Sequence, residues 1–86
     1  MKHHASSRFW HGFERLPLEV QALARRNFEL LKRDPSHPSL QFKSLGNNRW
    51  RSVRVGLHYR ALGLPVEDGV LWIWIGTHAE YDRLAG

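Results

Sequence analysis

The feature that most narrows the folds open to this chain is the alternation in residues 49–64. Val53, Val55, Leu57, Tyr59 and Ala61 fall on one side of a period of two, and Trp50, Ser52, Arg54, His58 and Arg60 on the other. A two-residue period belongs to a half-buried strand, not to a helix. Gly56 interrupts the run where a reversal is cheapest, because glycine tolerates positive φ. If Gly56, Leu57 and His58 form the turn, Val55 lies opposite Tyr59 and Arg54 opposite Arg60. The two arginines then share a face, where like charges repel across the ladder. A sequence that places them so is expected to hold an anion there.

The rest of the chain supplies what such a hairpin packs against. Ser6 or Ser7 caps a short helix in which Phe9, Trp10, Phe13 and Leu16 recur at helical spacing, weakened by Gly12. Leu16-Pro17 marks a joint, since proline suits the first turn of a new helix. From Pro17 to Arg33 an apolar stripe of Val20, Leu23, Ala24, Phe28 and Leu31, with Asn27 in it, predicts a second helix with its stripe in the core. Asp34 to Ser39, with two prolines, is a rigid loop. A short extended segment follows, with Leu40, Phe42 and Leu45 on it and Lys43 opposite to Phe42. Val70 to Ile75 is apolar on both faces, as an interior strand is. Gly76 to Leu84 closes the chain with one or two helical turns from near Thr77. Residues 1–6 carry His3 and His4 but nothing apolar to anchor them, so a frayed end, or at most a short edge strand, is expected.

These elements predict one α+β domain over residues 1–86: an N-terminal helical hairpin packed on one face of a small antiparallel β-sheet. The opposite face would keep Arg54 and Arg60, flanked by tryptophans, as a basic concavity open to solvent. A chain of 86 residues is a single domain that buries roughly 60% of its unfolded surface. It has no cysteine, so disulfides, thiolate zinc and cysteine nucleophiles are excluded, which suits a reducing cytoplasm. No apolar run approaches the ~20 residues of a membrane helix, and the N-terminus lacks a signal-peptide apolar region. The formal charge is +5, and ten of the thirteen basic residues are arginine. The guanidinium fork suits phosphate and carboxylate oxygens, so nucleic acid or an acidic protein is the expected partner.

Three stretches resemble the RelE/ParE superfamily of bacterial toxins: Leu30-Leu31-Lys32-Arg33-Asp34-Pro35; Leu40 to Leu45 with Lys43; and Trp50-Arg51-Ser52-Val53-Arg54-Val55-Gly56 continuing to Tyr59-Arg60-Ala61-Leu62. Ile75-Gly76-Thr77-His78-Ala79-Glu80-Tyr81 looks like the superfamily's closing motif. The resemblance implies a toxin held inactive by a cognate acidic antitoxin. It also implies one of two activities: cleavage of ribosome-bound mRNA without a metal or cofactor, or inhibition of DNA gyrase without catalysis. A relative without toxicity, serving as a nucleic-acid or protein-binding module, is a third reading.

For the nuclease, which is the first expectation, the resemblance carries over to Arg54, Arg60, His78 and Tyr81 as catalytic residues. Lys43, Arg51, His58 and Trp50 would contact the nucleic acid. The arginines would stabilise the pentavalent phosphate, and His78 would serve as acid or base because imidazole titrates near neutrality. Tyr81, at i+3 from His78, would share its face; Glu80 is a weaker base. Against these roles stand plainer ones. Arg54 and Arg60 could pair with Glu80 and Asp82, His78 could be a surface or capping residue, and Tyr81 could plug the core. His11 and His37 read as structural, and His3-His4 or His58 with His78 offers no third metal ligand.

Overall fold

In a computed structural model that describes residues 1–85, the chain runs β1 (Lys2–Ala5), α1 (Ser7–Glu14), α2 (Leu18–Arg33), a 3₁₀ turn (Pro38–Leu40), β2 (Lys43–Leu45), β3 (Trp50–Val55), β4 (Tyr59–Val66), β5 (Gly69–Thr77) and α3 (His78–Ala85). The strands form one sheet in the order β1-β5-β4-β3-β2. The central hairpin takes the register expected from the alternation, with Val55 paired to Tyr59 and Arg54 to Arg60. Gly56 makes the turn at φ +65°. A β-bulge at Leu62/Gly63 shifts the pairing of β4 with β5. It explains why Val70, Trp72 and Ile75, spaced by two and then three, all enter one core. That core is completed by Phe13, Leu31, Leu40, Val53, Val55 and Ala61.

α1 begins where Ser6 Oγ accepts the Phe9 N–H at 3.2 Å. The joint between the helices is tied by Gln21, whose side-chain amide donates to the Leu16 carbonyl at 3.0 Å. Asn27, the polar member of the α2 stripe, donates to the Arg54 carbonyl at 3.4 Å and so satisfies itself on β3. Gly12 is not merely a weak spot in α1. A Cβ there would stand 2.9 Å from the Ile75 carbonyl oxygen, so glycine is what lets α1 lie directly on β5.

Two expectations are corrected here. Residues 2–5 are not frayed but form the short edge strand that was the alternative: β1 pairs with β5, and in parallel, so the five-stranded sheet is mixed and not purely antiparallel. The anchor is polar, which is why apolar patterning gave no sign of it. The Trp72 indole N–H donates to His3 Nδ1 at 3.1 Å, and His4 Nε2 lies 3.1 Å from Asp68 Oδ1. The sheet face opposite α1 and α2 is also not left open, because α3 covers one corner of it through Tyr81.

Two outcomes follow from this packing. Gly12→Ala gains about 1 kcal/mol in helix propensity but forces apart a backbone contact, and overpacking costs about 1–3 kcal/mol. Urea denaturation should therefore show a net loss of up to about 2 kcal/mol, where an open helical site would show a gain. His3 is held below its ordinary pKa by burial first, and then by the positive charge of the N-terminus, Lys32 and His4. Its contribution is complete above the unfolded value of about 6.5. It is lost as pH falls toward the lower folded value, since the unfolded chain then binds the extra proton. Thermal melts between pH 8 and pH 5 should show this acid-side decline, and His3→Phe should remove that part of it.

Candidate functional site

Strand register decides which of the candidate residues meet. Lys43 pairs with Ser52, Ser52 with Leu62 and Leu62 with Trp74, so these four form one row across the sheet face opposite the helical hairpin. Trp50 and Arg54 lie on the same face by alternation along β3, and the next row runs from Arg54 to Arg60 to Gly76. At Gly76 the absent side chain makes room for the Trp74 indole: a Cβ there would lie 2.5 Å from that ring. His58, exposed at the hairpin tip, accepts the His78 backbone N–H on its carbonyl at 2.7 Å. That bond fixes the start of α3 against the end of the hairpin. Arg51 has the opposite parity and lies on the side of Val53 and Val55. Its Nη1 donates to the Asn48 and Trp50 carbonyls at 3.2 Å each, away from the arginine row.

The main correction concerns Arg60, which is only 5% exposed and not open to solvent. Its Nη2 donates to Gln41 Oε1 at 2.8 Å and its Nη1 to Ser52 Oγ at 3.2 Å. The Tyr81 ring covers the guanidinium, with its centroid 5.1 Å from Cζ. Nε is buried with no partner. Gln41 sits in the left-handed region at φ 44°, a conformation that costs a non-glycine residue about 1–2 kcal/mol. The bond to Arg60 helps hold it there. Arg54, half-buried, turns its Nε to the Gly56 carbonyl at 3.1 Å and braces the turn.

α3 opens with a reciprocal cap. Thr77 Oγ1 accepts the Glu80 N–H at 3.2 Å, while Glu80 Oε1 accepts the Thr77 N–H at 3.1 Å and its hydroxyl at 2.9 Å. The Thr77 backbone N–H, and then its hydroxyl, hold the Glu80 carboxyl below its ordinary pKa. Glu80 is thus a committed acceptor and a poor base. The Thr-x-x-Glu spacing in the sequence was sufficient to find this cap. His78 lies 3.5 Å from Asp82 one turn on, and its ring stands 5.8 Å from that of Tyr81, tilted by 30°. Tyr81 is 7% exposed, and from His78 to Leu84 every other residue of the helix is exposed. Among the described residues no three His, Asp or Glu side chains are grouped to hold a metal.

The face therefore carries a sealed arginine at its centre, with Lys43, Trp50 and Arg54 to one side and His58 and His78 at one end. It can bind an anionic surface by its rim. It does not present Arg60 to a phosphate while Tyr81 stays in place. Residues 18–83 match the ParE-like toxin domain family. The chain belongs to this family of toxin domains. Its fold is shared with a copper-bound mutant toxin from Helicobacter pylori, at 21% identity and a TM-score of 0.64, covering 93% of this chain and 97% of that one. A search of curated protein sequences gives no match.

The buried setting of Arg60 reverses the usual expectation for a surface arginine. Arg60→Ala should lose about 2–4 kcal/mol in chemical denaturation, since it removes two hydrogen bonds and a stacked cation and leaves a void. Arg60→Met, which keeps volume and sheds a buried charge, should cost clearly less. Arg54→Ala should stay within about 1 kcal/mol of the parent.

Proposed function

We propose that this ParE-like domain is the toxin of a toxin–antitoxin pair, and that it acts by binding its target, DNA gyrase, without cutting RNA. What carries this reading is the state of Arg60. A nuclease of the expected kind needs that guanidinium on the scissile phosphate, yet here its donors go to Gln41 and Ser52 and its face to Tyr81. Arg51 is turned to the other side of the sheet. Glu80 is bound in a helix cap. A binding toxin needs none of these groups free. It needs a shaped, cationic surface, which the rim of Lys43, Arg54 and Trp50 supplies.

The antitoxin that fits this surface is an acidic, amphipathic segment. Among the described residues, none of the arginines has a carboxylate within ion-pair distance; the pairs formed are His4–Asp68, Glu29–Lys32 and His78–Asp82. The unpaired cations favour an acidic partner, and their attraction should fall with salt because exposed charges are screened within about 8–10 Å. The endoribonuclease acting on ribosome-bound mRNA remains the second reading. One observation favours it: His78 and Tyr81 are adjacent, and between His78 and Leu84 only Tyr81 of that helix is buried.

Induced expression in bacteria separates the two. The binding reading expects growth arrest with gyrase-dependent DNA breakage and no new mRNA ends in primer extension, and His78→Ala should leave the arrest intact. New mRNA 5′ ends that disappear in His78→Ala would transfer the function to the nuclease.

A further inference from the structure

Strand β1 lies at the edge of the sheet, paired with β5 alone among the described residues. Lys2, His4 and Ala5 are exposed, and His3 is the one side chain of the strand that turns inward. Its ring fills the space between α2 and β5, 5.4 Å from the Phe28 ring and 6.2 Å from that of Trp72. At the ends of the strand the Lys2 N–H donates to the Asp68 carbonyl at 2.8 Å, and the Ser6 N–H to the Trp72 carbonyl at 3.0 Å. Between those bonds, His3 supplies the attachment to the interior.

The hydrogen bond that fixes this ring works in one protonation state only. An indole N–H can donate but not accept. Trp72 Nε1–H therefore requires a lone pair on His3 Nδ1, at 3.1 Å, and the neutral imidazole keeps its own proton on Nε2. That Nε2 is buried without a partner, so even the neutral ring leaves one donor unmade. A second proton has to go to Nδ1. There it would set N–H against N–H and turn one hydrogen bond into two more unmade donors, each costly when buried. The surroundings offer no counter-charge. Lys32 on α2, His4 on β1 and the N-terminal amine all face the ring with positive charge. Glu29 on α2 is taken by Lys32 at 3.0 Å, and Asp68, on the turn before β5, by His4 at 3.1 Å. An indole face attracts a cation within about 6 Å, and Trp72 at 6.2 Å stands at the limit of that effect.

We propose that His3 is a proton-operated latch on β1: protonation of its ring releases residues 2–5 from β5 and bares the edge of that strand, while the rest of the sheet stays folded. The His4–Asp68 contact does not replace the latch, because both groups lie at the surface, where such a pair contributes little. α1 need not follow β1, since its first turn is capped by Ser6 Oγ and it rests on β5 at Gly12. The latch is independent of the gyrase reading: it uses none of the residues of the Arg54 face, and its test does not measure toxicity.

Hydrogen exchange of the full ¹⁵N-labelled chain between pH 7.5 and pH 5 tests it, with each rate corrected for the intrinsic pH dependence of exchange. Protection of the Trp72 indole N–H and of the Ser6 amide should be level above about pH 6.5. Below that it should fall by about tenfold per pH unit, because opening takes up one proton, until the folded ring itself titrates at its lowered value. The amides of β3 and β4 should keep their protection throughout. His3→Asn, whose Oδ1 can accept the Trp72 proton and does not titrate, should make the protection independent of pH. If β1 fails to dock in that variant, His3→Phe, which keeps an uncharged ring in place, gives the same comparison through the Ser6 amide. Protection that stays level to pH 5 in the unaltered chain would overturn the latch. A decline that persists in the docked variant would assign the effect to another group and overturn it too. A loss shared equally by β3 and β4 would mean that the chain opens as a whole, which is equally fatal to the proposal.

Discussion

A buried guanidinium with no carboxylate beside it organises one whole side of this protein. Arg60 joins three segments that the chain would otherwise leave loosely related: Gln41 in the loop after α2, Ser52 on β3 and Tyr81 on α3. Burying a charge without a counter-ion is costly unless hydrogen bonds and polarisable neighbours replace water. Arg60 has two such bonds and an aromatic face, and leaves its buried Nε–H unmade. The arrangement persists because other contacts hold its parts in place. The Thr77–Glu80 cap starts α3 at a fixed point, the His58–His78 backbone bond ties that point to the hairpin, and Tyr81 then has one place to go.

The sheet thus separates two unlike environments. On the side of the helical hairpin, aromatic and aliphatic side chains form the core. On the other, a cationic rim surrounds a sealed centre. Gly12 and the Leu62/Gly63 bulge matter to both sides. The first lets α1 rest on β5, and the second rotates β5 so that Trp72 and Ile75 face the helices while Trp74 lies across Gly76.

What could be read from the sequence was what depends on near neighbours. The hairpin register followed from alternation around Gly56, α2 from its stripe, and the interior position of β5 from its apolar residues on both faces. What could not be read depends on partners far along the chain. β1 has no apolar signature because Trp72 and Asp68, more than sixty residues away, anchor it. The alternation placed Arg60 on the second face correctly, but its burial is decided by Gln41 and Tyr81, which period two does not see. Family likeness groups Arg51 with the anion site, whereas its parity in the strand puts it on the other side. The Thr77–Glu80 cap is legible in the Thr-x-x-Glu spacing and commits Glu80 as an acceptor. As for activity, the ParE-like family fixes the kind of protein.

The most direct measurement is of the Arg60 Nε–H itself, by ¹⁵N NMR of the arginine side chains at neutral pH. A sealed guanidinium should give one Nε–H signal that exchanges slowly with water, is displaced by the ring current of Tyr81, and does not move when phosphate is added. Replacement of Tyr81 by leucine should return that signal toward those of the surface arginines. An Arg60 Nε–H that exchanges as fast as theirs in the unaltered protein, and that shifts with phosphate, would contradict the account and restore Arg60 as an open anion site.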